Sequence, residues 1–490
     1  HGININTMVL IIISSAMLGS RQRAAPEPIL ALKFTHQLPQ QLERATLLMK
    51  KNNPIYLASR NTVALLLSLV MLAACATQPT SANRSMSSGL TFATPESVGV
   101  DSDRLDRLTQ AMQGFVDDGR LAGVVTAAAR DGKIIHFESV GQRDIAAGSP
   151  MTDDALFRIY SMTKPITGVA MMMLYERGLF KLSDPVSMYI PEFADLQVYA
   201  GMDDDGNMLT EAPAHPMTVR ELMNHTGGLT YGLFSQSPVD DLYNAAGVLD
   251  PASNLQDMID KLAKIPLRQQ PGSLWHYSVS VDVQGYMVEK LSGQRFSDFL
   301  EDNIFEPLGM VDTDFFVPTE KADRLAEVYA YGPDGKLFAS EGFTDGPSYL
   351  VEHNFEGGGG GLVGSTMDYL RFSQMLLNGG ELDGARILAP LTIELMHRNQ
   401  LPKGLGDSIL GANGTTFGLD FAIIEDPVEA EGYSKGEYYW GGAAGTWFWV
   451  DPVENIVFVG MIQQFGNGIP DVRGTSRRLL YQAIMEPYGI

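Results

Sequence analysis

The strand-forming runs of residues 91–490 are concentrated at the two ends of that region, and this distribution limits the possible folds more than any other feature. Val124 to Ala129 and Lys133 to Val140 flank Asp131-Gly132, a hairpin signal because glycine supplies the positive φ that a tight β-turn needs. At the far end, Gly445 to Val450 and Asn455 to Met461 are rich in β-branched and aromatic residues and are separated by Asp451-Pro452. Helices accompany both pairs. Ser102 to Asp118 places Leu105, Leu108, Met112 and Phe115 three and four apart, with Asp101 or Ser102 as N-cap, and Ser476 to Met485 reads as a closing helix. Helical patterns fill the middle: Ile166 to Arg177, Val219 to Met223, Leu255 to Leu262, Val281 to Leu291 and Thr366 to Leu377, joined by long Gly/Pro-rich loops without an internal repeat. The expected class is α/β of the α+β type. One antiparallel sheet, flanked by helices, is built from both chain ends (91–185 and 355–490), and a mainly helical domain (186–354) is inserted.

Residues 1–48 begin without methionine and carry one short apolar run, Met8 to Met17, so they read as upstream read-through or vector-derived sequence; an unusually long leader is the alternative. From residue 49 the order changes. Lys50 and Lys51 precede the apolar stretch Ala64 to Met71, and Leu72-Ala73-Ala74-Cys75 follows. This order resembles a bacterial lipoprotein signal (49–74), which implies cleavage before Cys75, a lipid on its thiol, a tether over 75–90 and a place on the periplasmic side of the cell envelope. The competing reading is a buried free thiol at the end of a core helix, but no amphipathic face accompanies the run.

Charge and cysteine count remove whole classes of function. Lysine and arginine number 35 against 58 acids, a net charge of −23, which argues against nucleic acid as a partner and leaves the lipid anchor as the membrane contact. With Cys75 as the single cysteine there is no intrachain disulfide and no multi-thiolate metal site, and the eight histidines show no metal-binding spacing. Asp203-Asp204-Asp205-Gly206-Asn207 hints at calcium but lacks a glutamate at the twelfth loop position, so a solvated turn is the expectation.

Chemistry points instead to Arg158-Ile159-Tyr160-Ser161-Met162-Thr163-Lys164-Pro165. Proline suits a first helical turn, so a helix is expected to start near Ser161, and residues three apart on it bring the Lys164 amine beside the Ser161 hydroxyl. A serine needs a base to become a nucleophile, and a lysine can serve if burial or nearby positive charge lowers its pKa. Alone, Ser-x-x-Lys equally describes a capped helix with a solvated lysine. Two further segments add to it. Trp275-His276-Tyr277-Ser278-Val279 offers a phenol able to relay a proton, and Trp440-Gly441-Gly442-Ala443-Ala444-Gly445-Thr446 offers bare backbone along which a substrate carbonyl can lie. A core tyrosine, a buried tryptophan and a glycine bulge are the plain alternatives. His225 and His276 sit in motif loops, where a hydrogen-bonded structural role is expected.

In this order and at these separations the segments resemble the serine β-lactamase-fold carboxylesterases (family VIII esterases), relatives of class C β-lactamases and D-alanyl-D-alanine carboxypeptidases. Leu222 to Leu229, Pro307 to Met310 and Gly357 to Thr366 support the match, which runs from about Leu90 to Ile490. The resemblance implies Ser161 as acyl-forming nucleophile, Lys164 and Tyr277 as the proton-transfer pair, the N–H groups of Ser161 and Ala443 as oxyanion hole, and Trp440, Gly441 and Gly442 along the substrate. It also implies a small-molecule ester as substrate, with no cofactor and no metal. Two departures sharpen it: Trp440 stands where lactamases and carboxypeptidases carry lysine or histidine, and Val279 where lactamases keep asparagine. An indole has one N–H and no charge, so affinity for anionic lactams should fall and a neutral, short-chain ester is expected. A β-lactamase, a carboxypeptidase and an idle binding lipoprotein of the same fold are the alternatives. The intact Ser161, Lys164 and Tyr277 argue against the last.

Overall fold

The computed structural model describes residues 89–489 except 341–348, 403–404, 406–407 and 410–411; Cys75 and the signal-like segment lie outside the described residues. The hairpin forms where the sequence places it. Strands β2 (Gly123–Arg130) and β3 (Lys133–Asp144) are joined by Asp131 and Gly132, both left-handed at φ 54° and 72°, the geometry whose twist matches that of the flanking strands. The sheet continues with β4 (Thr415–Phe417), β5 (Ala422–Ile424), β6 (Tyr438–Gly441), β7 (Trp447–Asp451) and β8 (Ile456–Met461), while β1 (Thr91–Phe92) lies at one edge, parallel to β3. The spatial order is β1-β3-β2-β8-β7-β6-β5-β4. The two chain ends meet at its centre, where β2 and β8 pair antiparallel from Val125 opposite Met461 to Arg130 opposite Ile456.

Both faces of this sheet are covered, which is why β2, β7 and β8 are buried at every position. Alternate residues serve opposite layers. Val124 and Ala128 join Trp447, Trp449 and Phe458 against α1 (Ser102–Asp117) and α5 (Val472–Tyr481), whereas Val125, Ala127 and Ala129 join Phe448 and Val457 in the larger core that includes α4 (Thr366–Leu377). The closing helix starts four residues before the apolar pattern suggested, because Asp471 caps it by accepting the Gly474 N–H at 2.9 Å, and its first turn carries one apolar residue, the buried Val472, too few to show a period. The strand expected from Gly445 begins only at Trp447: residues 442–446 form a tight turn, with the Gly442 N–H donating to the Thr446 carbonyl at 2.8 Å and Gly445 at φ 92°.

Between the two sheet-forming parts lie the helices Val219–Met223, Pro238–Ala246, Leu255–Leu262 and α3 (Ser280–Ser292), together with short hairpins. The Asp203 run is the tip of one of them, between Val198–Met202 and Met208–Glu211, where the Asp203 carboxylate accepts the N–H groups of Asp205 and Asn207. Helix α2 (Thr163–Glu176) is buried almost all round, from Thr163 through Met172, and packs on α3. It is the central helix, and Ser161 and Lys164 stand at its N-terminal end.

Candidate active site

Ser161 sits in a single 3₁₀ turn, Tyr160–Met162, that feeds α2. The residue before it is strained: Tyr160 has φ +43°, a left-handed backbone that a bulky side chain rarely adopts, and its ring is held edge-on to Phe465 at 5.4 Å. One turn on, Lys164 is buried, and its Nζ donates to Gly359 O at 2.5 Å, to the Tyr231 hydroxyl at 3.1 Å and to Ser161 Oγ at 3.4 Å. The sequence expectation of an amine beside the hydroxyl is met. Lys164 meets the burial condition, and among the described residues the titratable groups that interact electrostatically with it are His225, Asp282 and Asp420, none of them a lysine or arginine. Burial pushes His225 well below its ordinary range, with Lys164 and then His276 adding to the effect, so its imidazole is neutral.

Tyr277 lies just before α3, and Lys164 Nζ sits 4.6 Å from the centre of its ring. The phenol oxygen accepts from Trp440 Nε1 at 3.4 Å. Trp440 is thus a donor to the tyrosine oxygen, delivered by β6 from the sheet side of the cleft. The ring is clasped by His225 at 4.9 Å, Tyr231 at 5.4 Å, Trp440 at 5.5 Å and Phe234 at 5.7 Å. His225, at φ 60°, bonds Ser278 Oγ through Nδ1 at 3.1 Å, and His276 bonds Thr230 at 3.0 Å, so both histidines brace the loops around Tyr277. Val279 is fully buried as the N-cap of α3.

The Trp-Gly-Gly segment reaches the same place from the opposite side. The Thr446 hydroxyl donates to the Ile159 carbonyl at 3.3 Å, so the 442–446 turn is tied to the backbone two residues before Ser161. A Cβ at Gly442 would lie 2.5 Å from that carbonyl oxygen, so this glycine tolerates no side chain, whereas one at Gly441 would require the Arg473 guanidinium to move. Ala443 stands at the exposed tip of the turn. Arg473, from α5, donates to the carbonyls of Gly442 and Thr446 at 3.2 and 3.1 Å and so holds both ends of the turn.

Four contributors are not legible in the motifs. Tyr231 follows the Thr226 to Leu229 stretch, yet its hydroxyl, pushed far above its usual range by burial with Asp282 and Tyr277 adding, stays a phenol beside Lys164. Gly359 supplies the closest acceptor to Lys164. The glycine run that contains it is not a phosphate loop but a strap pressed against α3: a Cβ at Gly358 would lie 2.6 Å from the Val281 carbonyl, and one at Gly359 2.5 Å from Asp282 Oδ2. Asp282, in the first turn of α3, accepts the Gly359 N–H at 2.9 Å through Oδ1, and its Oδ2 has no hydrogen-bond partner among the described residues. Asp420, left-handed at φ 64°, accepts from Gln284 at 3.0 Å. Burial raises both carboxyls, Asp420 the more strongly, with Lys164 acting in the opposite sense on each. A cavity of about 490 Å³ opens beside Tyr160 and Tyr231, walled by Leu249, Phe315, Tyr349 and Phe355, with Arg158 at its side.

The arrangement puts a hydroxyl, an amine and a phenol in one buried cleft, facing a glycine turn. The model of the Beta-lactamase family matches residues 108–482. The chain belongs to the β-lactamase family. Among family relatives, the esterase EstB of Burkholderia gladioli is 31% identical over 376 residues, covering 72% of this chain and 89% of its own. Lovastatin esterase of Penicillium rubens is 28% identical over 395 residues, covering 76% and 96%. Among solved structures, EstCE1, described as a hydrolase with promiscuous acyltransferase activity, superposes with a TM-score of 0.66 at 28% identity, covering 77% of this chain and 99% of that one. These β-lactamase-family homologues support an enzyme that hydrolyses esters.

Proposed function

We propose that the protein is a serine carboxylesterase acting on neutral, short-chain acyl esters through an acyl-enzyme. Ser161 Oγ attacks the ester carbonyl while its proton passes to the Tyr277–Lys164 pair, and the oxyanion is received by the N–H groups of Ser161 and Ala443. Collapse of the tetrahedral species breaks the acyl C–O bond. Tyr277 returns the proton to the departing alkoxide, so an alcohol leaves; water then attacks the acyl-enzyme, gives up its proton by the same route, and the free acid departs as Ser161 is restored.

The observation that carries this reading is the indole of Trp440 bonded to the phenol oxygen of Tyr277. Where lactam-hydrolysing relatives are expected to hold a cation for the substrate carboxylate, this cleft has an uncharged donor already engaged with the proton relay. The apolar walls beside Tyr160 agree with a neutral acyl or alcohol group. Cys75 is proposed to carry a lipid that tethers the enzyme to the envelope, and mass spectrometry of membrane-fraction protein tests this: an unmodified N-terminus upstream of Cys75 refutes it.

Steady-state hydrolysis of p-nitrophenyl butyrate beside nitrocefin, with wild type and Ser161→Ala in parallel, tests the activity. Fast butyrate turnover lost in the variant is expected, with nitrocefin turned over far more slowly. Faster nitrocefin turnover would make the protein a β-lactamase, and no turnover of either would favour a peptidoglycan peptidase or a binding protein. Esters from acetate to laurate then read the length the cavity accepts.

A further inference from the structure

Lys164 is buried, yet its hydrogen-bond partners among the described residues are neutral oxygens: Ser161 Oγ, the Tyr231 hydroxyl and the Gly359 carbonyl. A buried ammonium with no counter-charge is unfavourable, so either the amine is neutral or a negative group balances it from one step away. The shortest of the three contacts, 2.5 Å to Gly359 O, leads to that group. The same residue points its N–H, which belongs to the preceding peptide group, at Asp282 Oδ1, 2.9 Å away. The carboxylate thereby fixes the strap residue whose carbonyl receives the amine, and in the low-dielectric interior its charge acts on Lys164 through space, across Gly359. Asp282 stands in the first turn of α3, where the helix N-terminus favours negative charge.

The other groups facing Lys164 do not compete for this role. From the loop after Val219–Met223, His225 is buried and neutral and Tyr231 is held as a phenol. From the segment before α3, Tyr277 presents its ring face. From the turn before β5, Asp420 is engaged by Gln284, and burial pushes its carboxyl well above the usual range.

We propose that Asp282 is a positioning residue for ester hydrolysis: acting across Gly359, whose N–H it holds, its carboxylate keeps Lys164 an ammonium and pins it in place, so that Tyr277 takes the proton of Ser161. The inference rests on the esterase reading above, which leaves open which member of the pair is the base. In the acylation step, once Tyr277 has given up its proton to solvent, the Ser161 O–H bond breaks, its proton bonds the Tyr277 oxygen, and Oγ bonds the ester carbon as the carbonyl π pair moves onto its oxygen, facing the N–H groups of Ser161 and Ala443. Lys164 neither gains nor loses a proton, and its charge, with the Trp440 N–H, stabilises the phenolate.

Asp282→Asn keeps the size of the side chain and an acceptor for the Gly359 N–H while removing the charge. In the full chain, its kcat for p-nitrophenyl butyrate is expected to fall about tenfold or more at nearly constant KM, and the high-pH limb of kcat/KM, where Lys164 loses its proton, to move down by about one pH unit or more. Asp282→Glu is expected to restore the limb. A fall in kcat with unmoved limbs would reduce Asp282 to a packing group, and a change in KM alone would make it a substrate contact; either overturns the proposal. The pH dependence of Ser161 labelling by a fluorophosphonate provides the same comparison without an ester. If Ser161 labels with the expected shift but no ester is turned over, the esterase reading fails and the role of Asp282 survives. Should the variants not fold, the side-chain ¹⁵N shift of Lys164 in wild type decides: an ammonium at pH 9 supports the proposal, and a neutral amine there refutes it.

Discussion

Among the described residues, Arg130 and Lys164 are the two lysine or arginine side chains that are fully buried, and they are built in opposite ways. Arg130, at the end of β2, engages all three guanidinium nitrogens with fixed partners. Nε and Nη2 bond the Glu454 carbonyl and carboxylate at 3.1 and 2.7 Å, Nη1 bonds Val98 O at 2.9 Å, and Nη2 also bonds Glu486 O at 2.9 Å. The Tyr488 ring covers the guanidinium at 4.1 Å, and the Glu454 carboxylate takes the N–H groups of Tyr488 and Gly489 as well. This is a closed ion pair that joins both chain ends. Lys164 has no carboxylate in direct contact, rests partly on hydroxyls that can change partner, and has unpaired carboxyl oxygens, Asp282 Oδ2 and Asp420 Oδ2, close by. Complete pairing marks a cation that holds the fold. Incomplete pairing around a buried cation marks one placed for chemistry, because the surrounding structure must support a charge it does not fully neutralise.

The sharpest break would come from exchanging the charges one at a time. Lys164→Met is expected to lower kcat/KM for p-nitrophenyl butyrate by about 10³-fold or more with a smaller loss of stability than Arg130→Met, since no carboxylate in direct contact with it is stranded. Arg130→Met should do the reverse. It strands the Glu454 carboxylate and should cost about 3–5 kcal/mol in urea unfolding, with kcat of the folded fraction intact. If both variants lose stability alike, the contrast between the two sites is wrong. Trp440→Phe tests the donor side of the relay: loss of one N–H to Tyr277 should lower kcat about tenfold with little change in KM.

The smallest expected effect extends the comparison to a buried group with no charge. His136 on β3 is bonded to Thr126 at 2.7 Å, and burial lowers its pKa to about 4. The folded protein therefore keeps this imidazole neutral while the unfolded chain protonates it below about 6.5, so the stability it contributes is complete above that pH and is lost progressively as pH falls toward 4. Urea unfolding at pH 7, 5.5 and 4.5 should show this slope in wild type and a shallower one in His136→Gln. Equal slopes would mean that the histidine titrates normally in the fold.

Much of this was legible along the chain. The Asp131-Gly132 turn, the helices Val219–Met223 and Leu255–Leu262, and the joining of both chain ends in one sheet follow from local turn chemistry and from hydrophobic period, which act over neighbouring residues. Ser161 and Lys164 share one helical turn, so their proximity is a matter of spacing. Tyr231, Gly359 and Asp282 were opaque for the opposite reason. Their effect on Lys164 depends on contacts spanning 67 to 195 residues of sequence, made across a glycine strap whose close approach to α3 has no local signature. Sequence alone therefore determined which groups can do the chemistry and on which elements they stand. Tertiary structure decided their surroundings: which oxygens the lysine meets, which oxygen the tryptophan N–H meets, and which carboxylate lies on the far side of Gly359. Charge and hydrogen bonding are set by what packs within a few ångströms in space, and that neighbourhood exists only once distant segments have been brought together.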